Sequence, residues 1–416
     1  MMKDMETLYQ ERIDRVAAAS RLESVDRVPI VPCFQAYPVY YANKWTIADL
    51  MADYRRCTDV YDTFYAHFSP DLGWDPILFY PTDYMKRLGI TWVRWPGEQI
   101  REANTMYQYV EDQFMKEDEY PEAIEDLTKF MMNKWYPRSF TKLSGMKKLD
   151  FRKGMWLGHM SEIAAFADPE VRASMEALMD AGKMLTDWYQ YLDEYQQHMR
   201  KKFGMPPMYA GFAFAPFDKI GDNMRGTVDI MTDLYDHPDE LLELIDIVTD
   251  FAIKDTIEGA KGKAVPYVWF WLHKGIDSFM SDAQFAKFYW PSLLKYITAL
   301  TEAGLTPLLY VEGAYNSRLD FLRDVPKKKV IFDFEYTDIA AAKKALDGHA
   351  CVMGNVPAHL LSYGTVDEVR DYCKWLIDTC APGGGFIMDS GTMIDDAKTE
   401  NIEAMFDTTF TYGKGK

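Results

Sequence analysis

Cysteine and basic residues are scarce in this chain of 416 residues. The five cysteines lie far apart and show no Cys-x-x-Cys spacing, which argues against a disulfide framework and against a cysteine-rich zinc module. Lys and Arg number 46 against 64 Asp and Glu, so the formal net charge is −18. This excess of negative charge repels phosphate backbones and anionic lipids, so we expect neither a nucleic-acid partner nor a membrane-surface partner.

Long apolar runs are also missing. No stretch of about 18 apolar residues occurs, so no membrane-spanning helix is expected. The first twenty residues are charged and lack the apolar centre of a signal peptide. We therefore expect a soluble protein in the reducing cytoplasm.

The C-terminal half alternates short apolar runs with amphipathic helical stretches, a pattern typical of a parallel sheet. The predicted strands span 208–214, 265–272, 306–311, 329–334, 350–356 and 385–390. The predicted helices between the later strands span 281–303, 337–346 and 365–380. Their ends agree with helix-capping rules, since the first begins at Ser281 and ends before Gly304.

Two further apolar runs, at 28–35 and 76–81, raise the number of predicted strands to eight. Eight successive β/α units favour a closed barrel, so we predict an α/β fold: a single (β/α)8 TIM-like barrel with an N-terminal helical segment. Residues 84–150 fit the alternation poorly, and no Gly-, Ser- or Pro-rich linker separates them. We therefore predict one domain over 1–416, with 84–150 as an insertion after the second strand.

A polar side chain stands within or just after each of five successive predicted strands. These residues are His273, Glu312, Asp333, Asn355 and Asp389. Functional groups of such barrels lie at the C-terminal ends of the strands, so we expect the five side chains to converge on one cavity. Glu312 is the strongest candidate, because a carboxylate at the exit of a buried strand is costly to desolvate unless it is paired or used. The structural alternative for each is a bond to nearby backbone or a cap of the next turn.

Other motifs are less informative. The three glycines at 383–385 precede a strand, so neither a P-loop nor a dinucleotide-binding fingerprint fits them. Aromatic clusters such as the one in 265–272 are typical of cores and subunit interfaces, which leaves a homo-oligomer open. At a barrel mouth, the same side chains would suit a flat or apolar ligand.

Several segments resemble the uroporphyrinogen decarboxylase superfamily. They are DRVPIVP near the N-terminus, FMSDAQFAKFYWPSLLKYI, GNVPAHLLSYGTVDEVRDYCKWLID and GGGFIMDSGTMIDDAKTENIEAM. Three more, WVRWPGEQ, VEDQFMKEDEYPEAIEDL and YVEGAYNSRLDFL, are similar to the chloromethane-utilisation type of corrinoid-dependent methyltransferase. The resemblance spans most of the chain and implies a single distorted (β/α)8 barrel.

The residues themselves depart from the porphyrin-pathway decarboxylase of this superfamily. Its arginines, which meet the carboxylates of the tetrapyrrole, correspond here to Phe34 and Pro38, and its pyrrole-binding aspartate corresponds to Pro81. A polyanionic substrate without those arginines would face an acidic protein unaided. Uroporphyrinogen is therefore not the expected substrate.

The zinc-dependent, thiol-methylating branch of the superfamily also differs at its ligand positions. The metal ligands of that branch correspond here to Tyr310, Glu312 and Thr392, so its thiolate ligands are absent. His273 and Glu312 still offer nitrogen and oxygen ligands for a divalent metal such as zinc. Alternatively, Glu312 is a proton donor.

The resemblance implies an enzyme of one-carbon metabolism, a corrinoid-dependent methyltransferase or demethylase. It would move a methyl group between a small methylated substrate (an ether, amine or halide) and a cobalamin cofactor, carried by a separate corrinoid protein. The leaving heteroatom then needs protonation or Lewis-acid help. The predicted catalytic residues are His273, Glu312 and Tyr310, and the predicted substrate-binding residues are Asp333, Asn355 and Asp389. Two alternatives stay open: a tetrapyrrole decarboxylase, which needs no corrinoid, and a non-catalytic corrinoid-binding protein.

Overall fold

The computed structural model describes residues 4–151 and 156–416. The α-helices within these ranges are α1 (Met5–Ser20), α2 (Tyr37–Ala42), α3 (Ile47–Ala52), α4 (Cys57–Tyr65), α5 (Thr82–Leu88), α6 (Tyr120–Glu125), α7 (Leu127–Phe130), α8 (Tyr136–Ser139), α9 (Gly158–Ala165), α10 (Pro169–Phe203), α11 (Pro216–Ile220), α12 (Thr227–Asp236), α13 (Pro238–Gly259), α14 (Asp282–Gln284), α15 (Trp290–Glu302), α16 (Ile339–Ala345), α17 (Ala358–Tyr363), α18 (Val366–Cys380) and α19 (Thr399–Tyr412). The strands are β1 (Val93–Arg94), β2 (Gln108–Tyr109), β3 (Gly211–Phe214), β4 (Tyr267–Leu272), β5 (Thr306–Val311), β6 (Ile331–Phe334), β7 (Cys351–Val356) and β8 (Phe386–Ser390).

Six parallel strands form the main sheet, in the order β3-β4-β5-β6-β7-β8. All six strands predicted for the C-terminal half are confirmed, and each pairs in parallel with the next one along the chain. The predicted helices between the later strands are confirmed as well. Ser281 forms a capping box with Gln284, and Thr365 caps α18 in the same way.

Two extended segments, at 28–34 and 71–74, span the gap between β8 and β3. Their links to each other and to the sheet are backbone hydrogen bonds, from Val31 N–H to the Met388 carbonyl at 2.9 Å, from Asp71 N–H to the Ile30 carbonyl at 2.8 Å and from Met208 N–H to the Gly73 carbonyl at 3.1 Å. The fold is thus of the TIM-barrel type. The first two strand positions of the barrel are occupied by the segments 28–34 and 71–74, which form isolated bridges instead of regular strands. The fold class predicted from the sequence is confirmed.

The strand predicted at 76–81 is wrong. Pro76–Leu78 form a 3-10 helix, and the Asp75 carboxylate caps it by accepting the N–H of Ile77 at 3.1 Å. Pro76 has no N–H to give to a sheet, so the Asp-Pro turn signal outweighs the apolar run that follows it. The segment that takes part in the barrel is 71–74, just before Asp75.

A buried carboxylate joins the first two barrel segments to α1. Asp71 is fully buried and accepts the N–H of Ile30 at 2.9 Å. It also accepts hydrogen bonds from Arg27 at 2.7 Å and from Arg15 of α1 at 2.6 Å. A buried charge of this kind is tolerated because it is paired and fully hydrogen-bonded.

Apolar side chains pack both inside the barrel and between the barrel and its helices. Trp269 and Met353 belong to the interior cluster, whereas Phe270 belongs to the outer one. The outer cluster continues without a break into 84–150, where it includes Tyr120 and Phe130. That 84–150 is an insertion within one domain stays a prediction. The cluster shared with the barrel supports it.

Within 84–150, β1 and β2 form a short antiparallel pair. Among the helices of the described residues, none combines the length and the apolar character needed to cross a bilayer.

Candidate active site at the barrel mouth

Successive side chains of a strand point to opposite faces, so every second residue of β4, β5 and β6 faces the barrel interior. Trp269 and Tyr310 lie in the interior cluster, whereas Phe270 and Val311 lie outside it. Continued past the strand ends, the same alternation aims the next polar side chains at the mouth of the barrel. They are His273, Glu312 and Glu335.

His273 and Glu312 form a pair at this mouth. The His273 Nε2 and Glu312 Oε2 atoms are 3.6 Å apart, and their side chains are 28% and 39% exposed. The pair is therefore reachable from solvent but lies against the barrel interior. Such a position suits contact with a small ligand.

Two acidic residues between β3 and α12 hold His273 in place. The Nδ1 atom of His273 is 2.7 Å from an Asp222 carboxylate oxygen. Asp218, which is fully buried, accepts the backbone N–H groups of His273 at 2.8 Å and of Lys274 at 2.9 Å. It also accepts the hydroxyl of Tyr289 at 2.6 Å, and Lys274 contacts Asp222 through its Nζ atom.

His273 carries a proton at neutral pH. Burial by itself would lower the pKa of His273, but the hydrogen bond to Asp222 and the charges of Glu312 and Asp218 together raise this pKa to about 9. The pKa of Asp222 is lowered from its ordinary value, because its bonds to His273 and Lys274 outweigh the effect of burial. A charged imidazolium must lose its proton before it can ligate a metal.

Glu312 has the opposite tendency. Its partial burial raises its pKa, the positive charge of His273 opposes that rise and the nearby Glu335 adds to it. Glu335 is itself held by the backbone, since the N–H of Gly313 donates to its Oε2 at 2.6 Å. Gly313 has φ +82, a left-handed conformation that favours glycine and turns its N–H toward Glu335. The mouth therefore contains a protonated imidazole beside a carboxyl group that retains a proton more readily than usual.

Tyr310 lies one inward position below Glu312 and is almost fully buried. Its hydroxyl donates to the Oγ1 atom of Thr392 at 3.1 Å, and its ring packs on Trp269 with centroids 5.4 Å apart. Burial and the charge of Glu312 raise the pKa of Tyr310. Its phenol therefore stays protonated, and it serves as a hydrogen-bonding group in the floor of the mouth.

Asp333 and Asp389 lie deeper, in the barrel interior, and are fully buried. The ligand atoms of these two carboxyl groups and of the Cys33 thiol lie within 4.8 Å of one another. Burial, and next the charge of Asp389, raise the pKa of Asp333 well above its ordinary range. Burial raises the pKa of Asp389 to about 7, against the opposing hydrogen bond from the Cys33 N–H.

Asn355 has a different environment. Its amide nitrogen donates to the carbonyls of Glu335 and Thr337 at 3.3 Å each, and its amide oxygen accepts the hydroxyl of Tyr372 at 3.2 Å. These bonds fasten the loop that carries Glu335. The structure therefore places Asn355 behind the mouth, where it positions a neighbouring residue.

Three partly exposed aromatic side chains, Phe212, Phe214 and Trp271, line the mouth beside His273 and are termed here the aromatic wall. The ring of Trp271 stacks on Phe212 and on Phe214, with centroids 4.9 and 5.2 Å apart. The rings of His273 and Phe214 are nearly perpendicular, with centroids 5.9 Å apart. Partly exposed aromatic rings at a barrel mouth favour a ligand with apolar or flat parts.

Asp218, Asp222 and Lys274 are not among the site residues predicted from the sequence. The two aspartates stand four residues apart in an apolar segment just after β3, where the strand-end rule applied to the other strands would have found them. In the sequence, Cys33 is only one of five scattered cysteines. Nothing in the local sequence indicates that Cys33 meets Asp333 and Asp389, which lie 300 and 356 residues away along the chain.

The chain is similar to known proteins both in sequence and in structure. The family model described as uroporphyrinogen decarboxylase (URO-D) matches residues 159–412, which is more than half of the chain. A methyltransferase from Methanosarcina mazei is similar in structure, with a TM-score of 0.57, 13% sequence identity and coverage of 96% of this chain and 98% of that chain. At that identity, the similarity concerns the fold. No curated protein matches the chain.

Proposed function

Because the chain belongs to the uroporphyrinogen decarboxylase (URO-D) family, we propose that it is a corrinoid-dependent methyltransferase or demethylase of that family. Its substrate would be a small methyl ether, methylamine or methyl halide, and its partner a corrinoid protein. The observation that carries this proposal is the His273–Glu312 pair, which lies partly exposed beside the aromatic wall. The fold similarity to a protein described as a methyltransferase supports the same assignment.

The charges at the mouth argue against a polycarboxylate substrate. The charged groups that surround the pair are Asp218, Asp222, Glu335 and Lys274. Among the described residues, no arginine bonds to His273, Glu312 or any member of that set. A tetrapyrrole with several carboxylates would therefore meet a mouth with excess negative charge and no guanidinium to bind it.

One feature of the mouth supports the proposed binding of a corrinoid. The aromatic wall offers partly exposed ring faces, which suit a broad and largely uncharged group whose edge bears amides. Phe212, Phe214 and Trp271 would contact it. When bound, the corrinoid supplies the cobalt centre that accepts or gives the methyl group.

The chain's own residues would assist departure of the heteroatom. An ether oxygen or an amine nitrogen leaves poorly as an anion, so it needs a proton as its bond to the methyl group breaks. The His273–Glu312 pair retains a proton at neutral pH, and Asp222 fixes the orientation of the imidazole from its other side. Tyr310 offers a hydrogen bond from the floor of the mouth, Asn355 holds the Glu335 loop, and the buried Asp333 and Asp389 shape the floor beneath a bound substrate.

The proposal is tested by mixing the purified protein with cob(I)alamin, either free or on a corrinoid protein, and with a panel of methyl ethers, methylamines and methyl halides. We expect at least one donor to discharge the cob(I)alamin absorption band at a rate that depends on enzyme concentration. The reverse reaction uses the same mixture with methylcobalamin and the demethylated product. Cobalamin binding without methyl transfer in either direction would indicate a non-catalytic corrinoid-binding protein and overturn the proposal.

A second assay addresses the tetrapyrrole alternative. We expect no conversion of uroporphyrinogen to coproporphyrinogen, because Phe34 and Pro38 replace the arginines that the decarboxylase reaction requires. Product is measured by fluorescence after oxidation to porphyrins, against a mixture without enzyme. Enzyme-dependent coproporphyrinogen formation would make the tetrapyrrole decarboxylase the correct function.

A further inference from the structure

The barrel interior contains a second cluster of ionisable groups that the proposed methyl transfer does not need as acids. It consists of Cys33, Asp333 and Asp389, termed here the Cys33 trio, and all three residues are fully buried. Their Sγ and carboxylate oxygen atoms lie within 4.8 Å of one another. Among the residues that the structure describes, this is the one group of three His, Cys, Asp or Glu side chains with ligand atoms this close.

The unpaired atoms of the trio face one another. Both carboxylate oxygens of Asp333 and Oδ2 of Asp389 lack an N–H or hydroxyl donor, and the two carboxyl groups are close enough to hydrogen-bond to each other through one proton. Buried polar atoms are nearly always hydrogen-bonded, so these oxygens need either a proton shared by the two carboxyl groups or a cation. A cation bound between the two carboxylates and the thiol would take the place of that proton, and the ligand atoms are close enough together to bind one.

The other oxygen of Asp389 is held firmly. Its Oδ1 accepts the N–H of Cys33 at 2.9 Å, the N–H of Ser390 at 2.6 Å and the hydroxyl of Ser390 at 3.0 Å. Carboxylates that ligate metals are oriented in this way, with one oxygen fixed by surrounding donors and the other left for the ion. The same bond from Cys33 also fixes the backbone that carries the thiol.

We propose that Cys33, Asp333 and Asp389 bind one divalent transition-metal cation of the zinc type inside the barrel. One sulfur and two oxygen ligands suit Zn²⁺, which is bound by Cys and by Asp at roughly 2.0–2.3 Å and is usually four-coordinate. The two aspartates and the cysteine bring no more than three negative charges, and the ion neutralises two of them. The site lies one inward position deeper than Glu335 and does not include His273 or Glu312.

The site is tested by its metal content and absorption spectrum, which do not depend on activity. The protein is produced in medium containing Co²⁺ in place of Zn²⁺, purified and analysed for bound metal and for its absorption spectrum. We expect about one cobalt per chain and a near-ultraviolet thiolate-to-cobalt charge-transfer band. The band reports a cysteine ligand directly.

Variants locate the ion. Cys33→Ser should abolish the charge-transfer band, and Asp333→Asn should remove most of the bound cobalt while leaving the side-chain volume unchanged. Ser390→Ala, which removes one donor to Asp389, should weaken cation affinity by roughly tenfold to a hundredfold. Cys351→Ser is the matched control, because Cys351 is equally buried inside the barrel but lies outside the trio, and it should keep both metal and band.

Three results would overturn the site. The first is a protein with well under one bound cation per chain, and the second is a band that survives in Cys33→Ser. The third is metal that is lost in His273→Gln but retained in Asp333→Asn, which would place the ion at the mouth. If Cys33→Ser does not fold, the site is tested by the metal content of Asp333→Asn compared with that of the Cys351→Ser control.

Discussion

His273 depends on its neighbours for its charge. Its ordinary pKa of 6.5 rises to about 9 in the folded chain, because Asp222 and Glu312 favour the protonated ring more than burial disfavours it. The folded state therefore binds this proton more tightly than the unfolded state does. The stabilisation is fully present below pH 6.5 and is lost as the pH rises from 6.5 through about 9.

We predict that the free energy of unfolding of the wild-type protein, relative to that of His273→Gln, falls over this pH window. Urea denaturation at a series of pH values from 6 to 10 measures the difference, and subtraction of the variant removes the contributions of other titrating groups. The imidazole resonance of His273 in NMR spectra should titrate near pH 9, and Asp222→Asn should lower that midpoint. If the free energies of unfolding of the two proteins changed with pH in the same way, the pKa of His273 would not be raised in the folded state.

Glu312 is expected to matter for chemistry more than for folding. Glu312→Gln keeps the size of the side chain but removes its transferable proton, so the rate of methyl transfer should fall about a hundredfold or more. Thermal stability should hardly change, since the side chain is 39% exposed. Single-turnover decay of the cob(I)alamin band measures the rate.

Glu302→Gln provides the matched control, because Glu302 is exposed at the end of α15 on the outside of the barrel. It should retain the wild-type rate. Loss of activity in Glu312→Gln together with loss of bound metal would indicate that Glu312 is a metal ligand. Full activity with unchanged metal content would make Glu312 a structural residue.

At the scale of elements, a buried ion pair connects the region 84–150 to the barrel helices. Arg225 follows α11 and bonds to Asp233 of α12 at 2.6 Å, with both side chains almost fully buried. Arg225 also donates to the carbonyl of Met115 at 2.7 Å, and the hydroxyl of Tyr120 donates to Asp233 at 2.7 Å. The pair therefore holds two elements of the barrel and two residues of the insertion at one point.

Asp233→Asn should destabilise the protein by about 3–5 kcal/mol, because it leaves the guanidinium of Arg225 buried without its counter-charge. Asp236→Asn, at the exposed end of the same helix, should change stability by no more than about 0.5 kcal/mol. Urea denaturation of the two variants gives both values. Equal losses of stability in the two variants would mean that the buried Arg225–Asp233 pair does not stabilise the contact between 84–150 and the barrel helices.

At the scale of the whole molecule, the continuous apolar cluster predicts that barrel and insertion unfold together. Tyr120 and Phe130 of the insertion pack in the same cluster as Leu244 of α13 and Phe332 of β6. Native-state hydrogen exchange in low concentrations of urea should therefore give similar opening free energies for the slowest amides of 120–148 and of 306–334. Markedly lower protection throughout 84–150 would identify that region as a separate unit.

Sequence alone determined the six parallel strands and which residues follow them, because apolar runs of strand length and helix caps are local signals. It also predicted that His273 and Glu312 lie at one mouth, since functional groups of such barrels stand at the C-terminal ends of the strands. Where two local signals conflicted, at 76–81, the turn chemistry of Asp75 and Pro76 prevailed over the apolar run.

Only the tertiary structure decided the chemical state of those residues. The charge of His273 comes from Asp222 and Glu312, which lie about fifty and forty residues away from it along the chain and reach it only after the barrel has formed. Cys33 meets Asp333 and Asp389 for the same reason, since the first segment of the barrel lies next to its last strand. Ionisation and metal binding depend on distances between side chains, and a sequence specifies those distances only through its fold.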